Sequence, residues 1–187
     1  MSILKAPKRE TIDDLLKVEG KAELINGRII RFKPYGMLPG IVCGRIFLPM
    51  DAFVEHHLAG SVYGATIGFA IHALPSGRES FSPDVSYYDG PLPKNLMRFI
   101  EGPSTFAVEV QSKETNSTED ERMRTAKRVD YFAAGTKAVW DVDPIQQVIR
   151  LYVDDAEVPV ATFRTGDQAH AEPGVAGWKL EVGELFR

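Results

Sequence analysis

The sequence has a single cysteine, Cys43. An intrachain disulfide is therefore excluded, and so is a cysteine-rich zinc site. A reducing compartment is the natural reading, with cytoplasmic location as the expectation. No run approaches the 18 apolar residues that mark a transmembrane helix, so no membrane association is expected. The start, MSILKAPKRE, lacks the apolar h-region of a signal peptide. No P-loop, no G-x-G-x-x-G, no G-x-S-x-G and no H-E-x-x-H is present. Those absences remove the usual arguments for nucleotide binding, for a hydrolase elbow and for a zinc protease.

A basic excess is missing too. The chain carries 22 Lys and Arg against 26 Asp and Glu, a net charge of -4. Its bulk charge gives no footprint for nucleic acid. The distribution is uneven, because residues 1–50 hold 9 basic and 5 acidic side chains and the remainder holds 13 and 21. A basic N-terminal third can carry a phosphate-binding face or be ordinary surface charge.

Apolar material for a core is plentiful. A chain of 187 residues, 44% hydrophobic, suits one domain spanning 1–187. A helix, hairpin and helix are expected over 1–60 and the core of the domain over 61–187. Thr11-Ile-Asp-Asp14 reads as a helix start, with the helix ending near Gly20. In AELINGRIIRF, Asn26-Gly27 between two apolar runs predicts a hairpin. Residues 40–59 read as a helix, with a kink or break expected at Pro49. SVYGATIGFAIH and PDVSYYDG read as strands, and 90–104 as a loop. FAVEV is the next strand. A helix is expected over Thr118 to Ala134, with Thr118 and Glu121 as its capping box and Gly135 as its terminator. KAVWDVDP, QVIRLYVDD and EVPVATFRT read as strands, the last two as a hairpin, and WKLEVGELF closes the chain. This order predicts an α/β or α+β fold, a mixed sheet flanked by helices.

The strand FAVEV poses a question. Burying an ionised carboxylate without a partner costs several kcal/mol or more. Either Glu109 has a cation waiting for it, or its face of the strand is wet. Alternation puts Phe106, Val108 and Val110 on one face and Ala107, Glu109 and Gln111 on the other. Asp84, in Ser-Pro-Asp-Val, opens another apolar strand. Two strand ends can bring the carboxylates of Asp84 and Glu109 close together. Like charges that close repel unless a cation joins them. Mg²⁺ or Mn²⁺ suits such a pair, because hard ions prefer oxygen ligands. On the helix that follows, Met123, Lys127, Tyr131 and Ala134 share one stripe. Lys127 then either snorkels to water or turns its ammonium into the site.

Taken in order, AELINGRII, GSVYGATIGFAI, SPDVSYY, FAVEVQS, AKRVDYFAAGTKAVWDVDP and WKLEVGELF resemble the Uma-type restriction-endonuclease family, a domain of unknown function within the PD-(D/E)xK nuclease superfamily. The resemblance implies a restriction-endonuclease-like fold and metal-dependent hydrolysis of phosphodiester bonds, with DNA as the expected substrate. It also implies a homodimer. Carried over, Asp84 and Glu109 are the metal-binding acids, and Glu23 is an early acid that adds a metal or water contact. Gln111 stands where the superfamily usually has lysine, and it can position a water but brings no charge. The family pattern instead places a lysine on the following helix, here Lys127 in Lys-x-x-x-Tyr. Where the family often has a histidine after the hairpin, this chain has Pro39-Gly40.

Plainer readings stand beside these. Glu109 can be one half of a buried salt bridge to Arg124 or Lys127. His56 and His57 fall near a helix C-terminus, where cationic residues are favoured. Trp140 and Trp178 are core candidates. The main reading is an Mg²⁺- or Mn²⁺-dependent endonuclease acting on DNA. The alternative, favoured by Gln111 and the acidic balance, is a nucleic-acid- or protein-binding module that kept the fold and lost catalysis.

Overall fold

The computed structural model describes residues 9–112 and 117–187. Most of the stretch read for a signal peptide lies outside the described residues. A short helix, α1 (Ile12–Leu15), leads into a hairpin of β1 (Ala22–Ile25) and β2 (Arg28–Arg31). Helix α2 (Met37–His57) follows, then β3 (Ser61–Gly64), β4 (Phe69–Ala70), β5 (Ser80–Phe81) and β6 (Val85–Tyr88). After β7 (Ile100–Glu101) and β8 (Phe106–Val110) comes helix α3 (Thr118–Ala134). The chain ends with β9 (Ala138–Asp143), β10 (Val148–Tyr152), β11 (Ala161–Arg164), β12 (Gln168–Ala171), β13 (Val175–Glu181) and α4 (Val182–Phe186).

Local chemistry accounts for most of these boundaries. Thr11 and Asp14 form the expected capping box, but α1 is a single turn with one buried residue, Leu15. One apolar anchor gives a second turn nothing to bury, and short helices do not persist unaided. Asn26 and Gly27 both take positive φ, 53° and 64°, as a type I′ turn requires. Helix α2 starts at Met37, so Pro39 falls in its first turn, where a missing N–H leaves no bond unmade. It then runs through Pro49 without the expected break. Ile46, Met50 and Val54 are buried on both sides of that proline and hold the axis together. By length and composition α2 also matches a membrane span. Its Val42, Ile46, Met50 and Val54, however, pack into the core beside the sheet, and Arg45 donates to the Leu185 carbonyl at 3.0 Å.

Helix α3 has the expected bounds, but its cap lies one residue earlier. Ser117 caps, and Asp120 completes the box. Ser117-Thr118-Glu119-Asp120-Glu121 contains the capping spacing twice, so either register was open. Gly135 ends the helix with φ 109°. The stretch WKLEVGELF is divided between β13 and α4, and β12 pairs antiparallel with β13. The loop expected over 90–104 contains the two-residue β7.

The main sheet has six strands in the order β11-β10-β9-β8-β6-β3. The β8–β9 pair is parallel, and the other four pairings in it are antiparallel. This is the expected mixed sheet. Helix α3 links the two parallel strands, as a crossover must. Side-chain alternation along β8 divides two cores. Phe106, Val108 and Val110 pack with Trp140, Trp178 and the α2 residues. Ala107 packs with Tyr131 of α3, Val139, Phe69 and Phe81. Glu109 shares the α3 side. The N-terminal hairpin is stitched to this body by backbone bonds: Glu79 N–H donates to the Leu24 carbonyl at 2.9 Å, and Leu24 N–H donates to Ser80 Oγ at 2.7 Å.

Candidate active site

Strands β6 and β8 pair with Val85 opposite Val108. The ladder continues one step beyond β6, where Asp84 N–H donates to the Val108 carbonyl at 3.0 Å. Val110 N–H returns a bond to Asp84 Oδ2 at 2.7 Å. Asp84 is therefore fixed against the segment that carries Glu109. Its carboxylate is 1% exposed. The other oxygen, Oδ1, accepts from the Lys21 ammonium and the Tyr35 hydroxyl.

Glu109 has its own pair of donors. Lys127 Nζ lies 2.8 Å from Oε1, and the Tyr131 hydroxyl donates to the same oxygen at 2.6 Å. The Lys127 ammonium also meets Glu23 at 2.9 Å. Glu23 in turn binds Arg78, whose guanidinium reaches Asp130 at 2.7 Å. A continuous run of alternating charge results: Glu109, Lys127, Glu23, Arg78, Asp130. Position and alternation explain it. Glu23 comes from the hairpin, Glu109 from the sheet, and Lys127 from α3, whose ammonium reaches both.

The electrostatics follow from burial opposed by these partners. Burial raises the Glu23 carboxyl, but Lys127 and Arg78 outweigh it and bring it down to about 2. For Glu109 burial dominates; Lys127 pulls back, Asp84 pushes further up, and the net direction is upward. Burial lowers Lys127, and the charges of Glu109 and Glu23 more than reverse it, so it stays an ammonium. Burial, reinforced by Glu109, holds the Tyr131 hydroxyl well above its ordinary value. The Cys43 thiol is pushed up to about 12 by burial and by Asp84, which keeps it from acting as a thiolate at neutral pH.

Asp84, Glu109, Lys127 and Glu23 are thus brought together, as the sequence suggested. Gln111 is turned to a neighbouring network instead. Its Nε2 donates to Asp141 Oδ1 at 2.7 Å, while Arg128 Nη1 meets Asp141 Oδ2 at 2.9 Å. Glu23 has both oxygens taken by Lys127, Arg78 and the Ser82 N–H. In this arrangement it anchors Lys127.

The chain matches the Uma2 family, whose description is "Putative restriction endonuclease", over residues 10–183. It belongs to that family. Among solved structures it resembles that of "a putative nuclease belonging to DUF820" from Anabaena variabilis. The TM-score is 0.70 at 17% identity, over 94% of this chain and 97% of the other. None of the curated proteins matches it. The fold of this Uma2 chain is restriction-endonuclease-like, a central mixed sheet flanked by helices.

Among the described residues, no group of three or more His, Cys, Asp and Glu side chains is gathered for a metal. Two carboxylates are still enough for a hard ion that completes its shell with water and substrate oxygens, as Mg²⁺ commonly does. Asp84 and Glu109 fit that role on one condition: Lys21 has to yield its place on Asp84.

Lys21, Tyr35, Arg78 and Tyr131 were not singled out as site residues from the sequence. For Lys21 a signal existed, because Lys21 and Glu23 are two apart at the start of a strand and so share a face. Tyr131 stood one turn beyond Lys127 on the same stripe. Tyr35 and Arg78 carry no pattern, since their approach depends on how loops cross over the strand ends.

Proposed function

We propose that this Uma2 protein is a nuclease that hydrolyses phosphodiester bonds in DNA with Mg²⁺ or Mn²⁺ held by Asp84 and Glu109. The observation that carries the reading is the convergence of these two acids at adjacent strand ends, with Lys127 against one of them. A divalent ion held by Asp84 and Glu109 would supply an activated water and offset charge on the phosphate. Asp84 is held rigid by the Val110 N–H, and Glu109 by Tyr131. Lys127 keeps its proton, so it acts as a fixed positive charge and donor for a phosphate oxygen, not as the base. Glu23 aims it. Tyr131 keeps its proton too and serves as a donor to Glu109.

A homodimer belongs to the proposal, since two copies reach both strands of a duplex. Met37, Ile41 and Leu48 stand exposed along α2 and offer an apolar stripe for it.

The second reading, a binding module without catalysis, has its own observation. Lys21 and Lys127 already neutralise Asp84 and Glu109. Titration of Mn²⁺ into wild type and Glu109→Ala, followed by plasmid cleavage, separates the two. A saturable site lost in the variant, with Mn²⁺-dependent nicking by wild type, is the expected result. Metal-independent DNA binding without nicking would favour the module.

A further inference from the structure

Lys21 sits at a junction. Its ammonium is bound to Asp84 Oδ1 and lies 3.2 Å from the Tyr35 hydroxyl. The rings of Phe32 and Tyr35 bracket it, with centroids at 5.8 and 5.4 Å. The side chain is 14% exposed. Lys21 also lines a cleft of about 170 Å³, together with Gly20, Thr66, Gly68, Ser82 and Phe99. An ammonium on Asp84 stands in for a cation at that oxygen. Sharing Oδ1 with a divalent ion would bring two positive charges into contact and is disfavoured. A lysine stem is long and flexible, so the displaced head group has somewhere to go.

We propose that Lys21 is a phosphate anchor held in reserve: a cation arriving at Asp84 displaces its ammonium, which then turns into the cleft and binds a phosphate of the nucleic acid. This inference rests on the metal reading given above. Without metal, Lys21 is spent on Asp84 and contributes nothing to substrate. With metal, one more phosphate contact becomes available. Metal loading and substrate binding are coupled through a single side chain.

Mn²⁺ titration of Lys21→Met provides the first test. Removing the competitor should tighten Mn²⁺ binding about tenfold relative to wild type. Duplex binding, measured by fluorescence anisotropy against salt, provides the second. With Ca²⁺ present to prevent cleavage, the wild-type plot of log affinity against log salt should be steeper than that of Lys21→Met by about 0.9, the share of one phosphate contact. In EDTA the two slopes should coincide. Lys21→Gln, which keeps a donor without the charge, serves as a second variant where Lys21→Met does not fold. Unchanged or weaker Mn²⁺ affinity in the variants, or equal slopes with metal present, overturns the inference while leaving the metal site standing. Absence of Mn²⁺ binding in every protein, wild type included, overturns both.

Discussion

Lys127 and Glu109 meet at 2.8 Å on the α3 side of the sheet. That contact is the salt bridge a plain reading of the sequence allows, and it is also the arrangement a phosphoryl-transfer site uses. The pair alone does not decide between them. Beside it stands a second acid, Asp84, fixed at the neighbouring strand end by a backbone N–H, and the proposed nuclease reading rests on that pair of acids.

Lys127→Met should therefore fail in two ways. Glu23, 1% exposed, loses one of the two cations that pair with it among the described residues, and Glu109 loses its ion-pair partner. Stripping one partner from a buried ion pair costs about 3 kcal/mol, which urea unfolding measures. Loss of a charge aimed at the phosphate should also lower cleavage about 10²- to 10³-fold. Lys127→Arg keeps the charge and should recover most of the stability. Full activity in Lys127→Met would remove the lysine from the chemistry.

Glu23 should show in the acid unfolding of the protein. Its carboxyl is lowered from 4.5 to about 2 in the fold. A carboxyl lowered by folding contributes stability above its unfolded value and loses it as the pH falls toward the folded one. A shift of this size corresponds to about 3 kcal/mol at neutral pH. Wild type should exceed Glu23→Gln by roughly that amount at pH 7, and the gap should close between pH 4.5 and 2. Glu109 runs the opposite way. Its raised carboxyl takes up a proton more readily in the fold, so its contribution improves as the pH falls. The wild-type curve alone mixes both; the difference between the two proteins reads Glu23 together with the smaller upward push its charge gives Glu109.

Restoring the superfamily lysine should not restore anything. Gln111 is 8% exposed and its amide is bonded to Asp141. In Gln111→Lys the new ammonium meets Asp141 first, beside Arg128 and Arg124. Cleavage should stay at the wild-type rate. A gain of about 10²-fold, the size of an acid–base contribution, would mean that the lysine reaches the site after all.

The legible parts of this protein were those set by short-range rules. The Asn26-Gly27 turn, the α3 span ending at Gly135 and the face alternation of β8 each depend on a few neighbouring residues. Asp84, Glu109, Lys127 and Glu23 were found because their order along the chain resembles a family, and the fold does bring them together. Arg78 and Tyr35 were invisible for a physical reason. Each reaches its acid from a segment outside the regular strands, 55 residues away for Arg78 and Glu23 and 49 for Tyr35 and Asp84. At Pro49 propensity alone allows a break, and tertiary packing keeps the helix continuous there. Buried Ile46, Met50 and Val54 hold a helix that an isolated peptide would break.

Tyr131 offers the sharpest separation of positioning from scaffolding. Its ring is fully buried and stacked on Phe81, with centroids 4.1 Å apart. Tyr131→Phe keeps that packing and removes only the hydroxyl that donates to Glu109 at 2.6 Å. A donor to a carboxylate favours its ionised form, so removing it should raise the Glu109 carboxyl further. Glu109 has to be ionised to hold a cation. The acid limb of the pH–rate profile should then move to higher pH in Tyr131→Phe, while the rate on the alkaline side stays near that of wild type. Mn²⁺ binding should weaken at pH 6 and recover at pH 8, in step with that limb. A hydroxyl that merely supports the fold would lower the rate evenly across the pH range, and a profile superimposable on wild type would show that Glu109 is set by Lys127 alone.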